Sequence, residues 1–422
     1  MRIRTRSLAL LATLCGAAPL QAGAFGFNFH GGAAIAEAGA QVAGVADATA
    51  VATNPAALVH LDGLRLAGGL DFDVPRDKYR SAAGGFTTNH EIEFPAFFFA
   101  AARRAGSRFA WGAGIDAPYW QITDWKPALF PARFLTHRQD TRLAEARLAG
   151  AYALDANWSA GAALRYVRGT LKRSVADVFP FPTPGLPRRQ MEADVQARGT
   201  ADGVGLDLGV DFRAARWGFG ATLGAPIDLT ADGDSRLAPA TIDPSELRDF
   251  AARYPGGRGS VDFRLPASLS AGAWLAPVAP LRLELDLAWA RWSALDRTRM
   301  AAEIGGGLGS FDYSLRRDWN DTLAIRLGAS FTLARIWTLR AGAALEPSPV
   351  PDRTVDPGFP RGDGRGLACG ASADFGWVAF DLGYSYFAYG DRTVTGQEPD
   401  PAARSTYSSS AQVISASARW KF

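Results

Sequence analysis

The stretch 281–289, LRLELDLAW, changes chemistry at every residue. Leu281, Leu283, Leu285, Leu287 and Trp289 share one face of an extended chain, and Arg282, Glu284 and Asp286 share the other. GVGLDLGVDF (203–212), DTLAIRLGASFTL (321–333) and WVAFDLGYSYF (377–387) repeat the pattern. Fourteen such segments are expected, at about 64–74, 92–102, 107–117, 141–154, 157–170, 203–213, 216–229, 262–276, 281–296, 317–333, 336–346, 365–376, 377–390 and 407–422. A soluble sandwich also alternates, but it carries Lys, Thr and Glu on its water side. Here the second face is Gly, Ala, Ser and mixed Asp and Arg, which suits a crowded lumen, with the apolar face outward to lipid. The count is even, as in single-chain bacterial barrels. The fold class is therefore all-β, a 14-stranded antiparallel transmembrane β-barrel occupying 62–422.

The chain begins MRIRTRSLALLATLCGAAPLQAGA, with Arg2, Arg4 and Arg6 before the apolar run Leu8–Ala18. That run is too short to span a bilayer, and Ala22-Gly23-Ala24 has the small-x-small spacing of a cleavage site. Residues 1–24 are expected to be a signal peptide. Leu14 directly before Cys15 argues against a lipoprotein signal. The whole chain has 45 basic and 42 acidic residues, and removing the three signal arginines leaves 42 against 42. That balance excludes a nucleic-acid partner. Cys369 is the one cysteine after the signal, so no internal disulfide forms. His30, His60, His90 and His137 lack metal-ligand spacing, and no phosphate loop, nucleophile elbow or catalytic carboxylate pair is present. No enzyme activity, cofactor or metal is expected.

Connections alternate in length. Asp155-Ala156, Ala214-Ala215 and Ala334-Arg335 read as periplasmic turns, and 118–140, 171–202, 230–261, 297–316, 347–364 and 391–406 as outer loops. The chain closes on ISASARWKF, an alternating strand with an aromatic end of the kind read by the barrel-assembly machinery. Fourteen strands enclose more space than wall side chains can fill. Residues 25–61 precede the first strand, rich in small residues and turns, and with Phe25, Phe27, Phe29, Ile35, Val42, Val45, Val51 and Leu58 too apolar for a disordered tail. They are expected to plug the lumen. Asn54-Pro55 should form a tight turn, Asn bonding its own backbone two residues on, seated near the third strand.

GFNFHGGAAIAEAGAQVAGVADATAVATNPAAL (26–58) resembles the N-terminal hatch of the FadL/TodX family of outer-membrane transporters. FAWGAGIDAP (109–118), LPASLSAGAWLAP (265–277) leading into DLAWARWS (286–293), and WNDTLAIRLGASFTLARIWTLRAGAALEPSPVPD (319–352) carry further family elements in order. The likeness covers essentially the whole chain after the signal and is weakest in 171–202 and 230–261. It implies passive passage of long-chain fatty acids or other hydrophobic compounds, caught by outer loops, closed off by the hatch and released sideways at a kinked third strand. Asn54, Pro55, Ala56, Gly112 and Gly114 are then the gating residues. On their own chemistry, Gly112 and Gly114 either mark a bulge before Pro118 or line a crowded lumen.

The outer loops are unusually apolar for water-exposed chain. Trp120, Trp125, Phe130 and Phe134 in one, with Phe179 and Phe181 in another, are expected to form an external capture groove, and Phe25, Phe27 and Phe29 before the barrel are further expected substrate-binding residues. Lys126, Arg133, Arg138, Lys172, Arg173, Arg188 and Arg189 stand where a carboxylate head group would meet them. The expected partners are a fatty acid or hydrophobic small molecule, outer-membrane lipid and lipopolysaccharide, and the assembly machinery, with the chain a monomer. The alternative is a barrel of the same fold that transports nothing and serves as scaffold or receptor.

Overall fold

The computed structural model describes residues 30–81, 84–87, 96–125, 130–183, 185–239, 243–305, 309–394 and 405–422. The expected signal peptide, Phe25, Phe27, Phe29 and Lys126 lie outside the described residues. Fourteen strands form the wall: β1 (Leu64–Ser81), β2 (Ala96–Ala105), β3 (Phe109–Asp124), β4 (Arg138–Ala153), β5 (Trp158–Pro180), β6 (Gln190–Arg213) and β7 (Trp217–Gly224). The second half is β8 (Ser268–Val278), β9 (Leu281–Ala290), β10 (Thr322–Leu333), β11 (Trp337–Glu346), β12 (Gly364–Asp374), β13 (Val378–Tyr389) and β14 (Thr406–Lys421). Each pairs antiparallel with the next. β14 returns to β1 from Arg65↔Lys421 to Arg80↔Thr406, and Leu64 and Phe422 exchange backbone hydrogen bonds at 3.0 and 2.9 Å. The ring is closed, so the membrane-spanning wall has no free edge.

Several stretches expected as loops are strand. β5 and β6 stay paired out to Pro180↔Gln190. The strands Ile227–Pro239, Gly257–Leu265, Arg297–Glu303 and Ser310–Arg316 carry the wall of β7 to β10 outward past breaks at 225–226, 266–267, 291–296 and 317–321. The reason is an inversion of polarity. On β6, Val204, Leu206, Leu208 and Val210 point out, and Gly205, Asp207, Gly209 and Asp211 point in. Further out on the same strand the outward residues are Asp202, Arg198, Gln196, Asp194 and Glu192, while Ala201, Ala197, Val195, Ala193 and Met191 are buried inside. β5 inverts at the same level, because Tyr166 pairs with Val204 and Arg168 with Asp202. The period of two never breaks; only its sense changes. Below the inversion the outside faces lipid and the lumen is polar. Above it the outside faces water and the interior is apolar.

Exposed Trp111, Trp158, Trp217, Trp337 and Trp377 collect at the rim bearing the short turns, as an interfacial aromatic girdle does. Residues 30–61 lie against the inward faces. They carry helices α1 (Gly32–Ala36) and α2 (Ala50–Thr53) and a 3₁₀ helix, Pro55–His60. Their bonds reach around the ring: Gly32 N donates to Ser417 Oγ on β14 (2.9 Å), Arg340 on β11 pairs with Glu37 (3.0 Å), and Val42 N donates to Asp286 on β9 (2.8 Å). Ala43 N and Gly44 N both donate to Glu284 Oε1, at 3.0 and 2.8 Å. The inward carboxylates thus hold three consecutive amides of this segment.

Cys369 is exposed on the outward face of β12, beside Leu367. In intact outer membranes its thiol should resist a water-soluble maleimide and label fully once the barrel is unfolded in denaturant. Rapid labelling in the membrane would place this strand one residue out of register.

Candidate substrate path

Asn54 is fully buried. Its Oδ1 accepts from Ala56 N (3.2 Å), the local turn bond expected of Asn before Pro, and its Nδ2 donates to Val42 O (3.2 Å) and Val210 O (3.1 Å). Ser159 Oγ donates to Ala56 O at 2.8 Å. The turn is therefore seated on β5 and β6, not near the third strand. A Cβ at Gly209 would lie 2.4 Å from Asn54 Oδ1, so glycine is what lets this seat form. The third strand meets Val51 of α2 instead. A Cβ at Gly112 would lie 2.6 Å from Val51 Cγ2, and Gly112 and Gly114 sit in regular register with Ala102 and Ala100. Of the two readings of these glycines, close approach is the one the geometry supports. The bulge starts three residues beyond Gly114. Asp116 pairs with Glu145 and Tyr119 with Leu143, leaving Ala117 and Pro118 opposite Ala144 alone.

That bulge shifts which residues face inward. Before it Ala110, Gly112 and Asp116 point in; after it Tyr119, Gln121, Thr123 and Trp125 do. Trp120 consequently falls on the other face, half-buried with the Arg142 guanidinium 5.3 Å from its ring. It does not join the expected groove. Phe134 is also half-buried, under Arg133 at 4.6 Å.

The remaining four aromatics are inside, all within one apolar core. Trp125 stacks on Phe130 (4.8 Å, 5°), edged by Tyr79 and Tyr407, and its Nε1 donates to Pro357 O at 3.0 Å. Phe179 and Phe181 pack on Phe250 and Tyr254, from the helix α3 (Pro244–Arg253) and the residue after it. All four are buried, so the open external groove is replaced by a packed apolar interior. A loop with this much apolar surface covers it, and the strands beneath supply a matching inner face.

Polar groups clamp the roof. Asp356 and Arg317 pair directly, Arg173 lies 3.9 Å from the same carboxylate, and all three are buried. Arg317 Nε donates to Thr298 Oγ1 (2.9 Å) and Arg173 Nη1 to Gln139 Oε1 (3.0 Å). Burial lowers the Arg317 pKa and the Asp356 charge opposes it.

Between the two storeys runs a ladder of alternating charge that sequence reading missed. Asp207 meets Arg165 at 3.2 Å, Arg165 meets Glu145 at 2.6 Å, Glu145 pairs with Arg147, and Arg147 meets Asp116 at 2.9 Å. His30 ends it, with Nε2 2.7 Å from Asp116 and Nδ1 3.7 Å from Asp71. A cavity of about 140 Å³ opens beside the ladder, lined among others by Val42, Tyr119, Arg147, Arg165 and Arg326. The available signal was Glu145 and Arg147 on one face of an Ala-rich strand, a placement that ordinary lumen charge also satisfies. Among the described residues no cluster of His, Cys, Asp and Glu could hold a metal ion.

A closed fourteen-stranded ring, apolar outside and plugged with charge within, defines an outer-membrane β-barrel transport protein. The chain belongs to the family described as outer membrane protein transport protein (OMPP1/FadL/TodX), which it matches over residues 11–422. It is 24% identical over 418 residues to the long-chain fatty acid transport protein of Escherichia coli O6:H1, covering 90% of this chain and 89% of that one. The fold is similar to that of a Pseudomonas aeruginosa FadL homologue (TM-score 0.79, 19% identity, 95% and 100% of the two chains). It is also similar to that of the Pseudomonas putida toluene transporter TodX (TM-score 0.73, 16% identity, 95% and 99%).

Replacing Gly209 by Val should unseat Asn54 while the barrel stays heat-modifiable on gels. Amide exchange in residues 50–60 should rise well above wild type. Unchanged exchange there would mean the turn does not depend on this contact.

Proposed function

We propose that the chain carries long-chain fatty acids or other hydrophobic compounds inward without energy input. The observation that carries this is the inversion of polarity: an apolar interior stands above a lumen that residues 30–61 fill and bind with charge. An apolar solute is favoured in the upper storey and opposed in the lower one, where it would displace paired charges without replacing them. The third strand is bulged at the same level, Ala117 and Pro118 lying opposite Ala144 alone. Residues 30–61 then act as a hatch that blocks the axis, and the solute leaves sideways at this bulge into the membrane. Its relatives include a long-chain fatty acid transport protein, and its fold is shared by a toluene transporter, which supports the hydrophobic substrate class.

The test is uptake by cells expressing the chain, against an empty control, of a labelled long-chain fatty acid and of toluene. Deleting Ala117, which restores regular pairing of β3 with β4, should abolish it. No uptake of either compound would favour a scaffold or receptor role.

Within this reading, capture rests on burial. Each CH₂ removed from water contributes about 0.8 kcal/mol, whereas a partly exposed pair such as Arg133 with Glu192 contributes roughly 0–1 kcal/mol. Trp125→Ala with Phe130→Ala should therefore slow uptake at limiting substrate more than Arg133→Ala, and more for long acyl chains than for short ones. Equal loss at every chain length would show that the chamber is not read by hydrophobic burial.

A further inference from the structure

The outward face of the outer storey is uneven in charge. Lys172 on β5 stands directly opposite Arg198 on β6, both pointing away from the interior. Cross-strand neighbours of like sign destabilise a sheet. Neither forms an ion pair among the described residues. Arg138 and Arg142 on β4 lie diagonally across from Lys172, in register with Ser174 and Thr170. They already hold the nearest acids: Asp140 meets Arg142 at 2.8 Å and Arg138 at 3.6 Å, and Asp124 meets Arg138 at 2.6 Å. On the other side Arg236 lies diagonally from Arg198, its Nε donating to Gln196 at 3.1 Å. Asp234 is in register with both Arg198 and Arg258, Asp232 is one step below it, and Asp194 further out is taken by His137 at 3.1 Å. Elsewhere on this face Arg297 and Arg316 are also opposed, but Asp318 lies 2.5 Å from Arg316. Burial, then Arg138 and Arg236, push the Lys172 pKa down, with Asp140 opposing them. The lysine thus sits where holding a positive charge is costly and a bound anion would offset the cost.

The height of this patch decides which anion meets it. On β5 the lipid-facing run ends outward at Tyr166, and Arg168 follows with its Nη1 3.4 Å from the Tyr166 hydroxyl. A phospholipid headgroup layer of about 5–8 Å lies at that level. There Arg168 stands opposite Asp202, and the charge is balanced. Lys172 comes six residues after Tyr166, roughly 15 Å higher by strand rise and barrel tilt. A phospholipid phosphate ends below this height. The phosphorylated sugar headgroup of lipopolysaccharide, which is taller, reaches it. Phosphate also suits the donors, since Arg198 offers a planar fork for two oxygens and Lys172 a point charge beside it.

We propose that Lys172 and Arg198, flanked by Arg142 and Arg236, form a binding site for a phosphate of lipopolysaccharide on the outward face of β5 and β6. The site does not depend on which solute the barrel carries or where that solute leaves. The bound glycolipid relieves a repulsion that the sheet otherwise carries alone, and it fastens the outer ends of β5 and β6 to the leaflet around them. Asp124 and Asp140 engage Arg138 and Arg142 from below, which leaves Lys172 and Arg198 facing outward for the anion.

The experiment measures binding of the purified barrel, in detergent at fixed salt, to lipopolysaccharide, to the same lipopolysaccharide stripped of phosphate, and to phosphatidylglycerol. It compares wild type with Lys172→Gln, with Lys172→Gln plus Arg198→Gln, with Lys172→Arg, and with Arg297→Gln plus Arg316→Gln, which removes equal charge elsewhere on the same face. Wild type should bind lipopolysaccharide about ten-fold more tightly than the Lys172 and Arg198 double variant, the order expected from losing two exposed charge contacts. Lys172→Gln should fall between, and Lys172→Arg and the Arg297 and Arg316 variant should match wild type. Stripping the phosphate should cost wild type the same ten-fold, a comparison that needs no variant to fold. Higher salt should narrow the difference. Without glycolipid the Lys172 and Arg198 variant should unfold at the same temperature as wild type or a higher one, because a repulsion has gone. A lower one would give the two cations a structural role and overturn the site. Equal binding by wild type and this variant overturns it, and so does equal binding of the stripped glycolipid. An equal loss in the Arg297 and Arg316 variant would mean that total charge is read, not this patch. Phosphatidylglycerol held as tightly as lipopolysaccharide, with the same loss in the Lys172 and Arg198 variant, would assign these cations to phospholipid and overturn the proposal.

Discussion

In hydrocarbon a backbone amide has no water to fall back on, and an unpaired one costs several kcal/mol. Everything in this chain answers to that. The wall closes from Leu64 to Phe422 because an open edge inside lipid is not tolerated. Closure at fourteen strands leaves a lumen too wide to pack from the wall, and residues 30–61 fill it. A filled lumen places backbone amides of that segment away from water, and inward Asp286, Glu284 and Ser417 accept their hydrogen bonds, while the Val210 carbonyl accepts one from the Asn54 side chain. Against that background the bulge of β3 at Ala117 and Pro118 leaves two residues opposite one on β4.

Much of this could be read from alternation alone. LRLELDLAW became β9 with its Leu residues to lipid and Glu284 and Asp286 to the lumen, and all fourteen wall strands overlap the expected segments. The outer storey was not legible. There, Val175, Phe179, Met191 and Val195 point inward and the charges point out, which in isolation looks like an apolar loop. Alternation reports that two faces differ and is silent on which faces the membrane. The bulge at Ala117-Pro118 was a second blind spot. One extra residue reverses the facing of everything after it, so Trp120 went to the outer surface and Tyr119 took the inner place. Pro118 was a visible cue, but the length of the insertion shows only in the pairing with β4.

The charged groups fall into two classes with different work. The ladder from Asp207 to His30 lies at the level where the faces exchange, and each of its members touches a neighbour of opposite sign. The Arg317–Asp356–Arg173 group lies higher, among Trp319, Phe359 and Tyr313, and joins segments distant in sequence. Buried pairs of this kind are weak sources of net stability but are costly to break singly. They fix which loop lies over which, a task that apolar packing alone, being non-directional, leaves open.

The paired length of β5 and β6 gives the protein a stature. From Val167 at the inversion to Pro180 at the tip, strand rise and barrel tilt amount to roughly 30–35 Å above the hydrocarbon. A column of that height, laddered on both sides and packed within, behaves as a stiff spout rather than a fringe of loops. Its bore begins well beyond the hydrocarbon, and the length of its apolar interior is set by counting residues along a strand. Lengthening or shortening the spout two residues at a time would preserve which side chains face the bore; a change of one would turn the wall inside out.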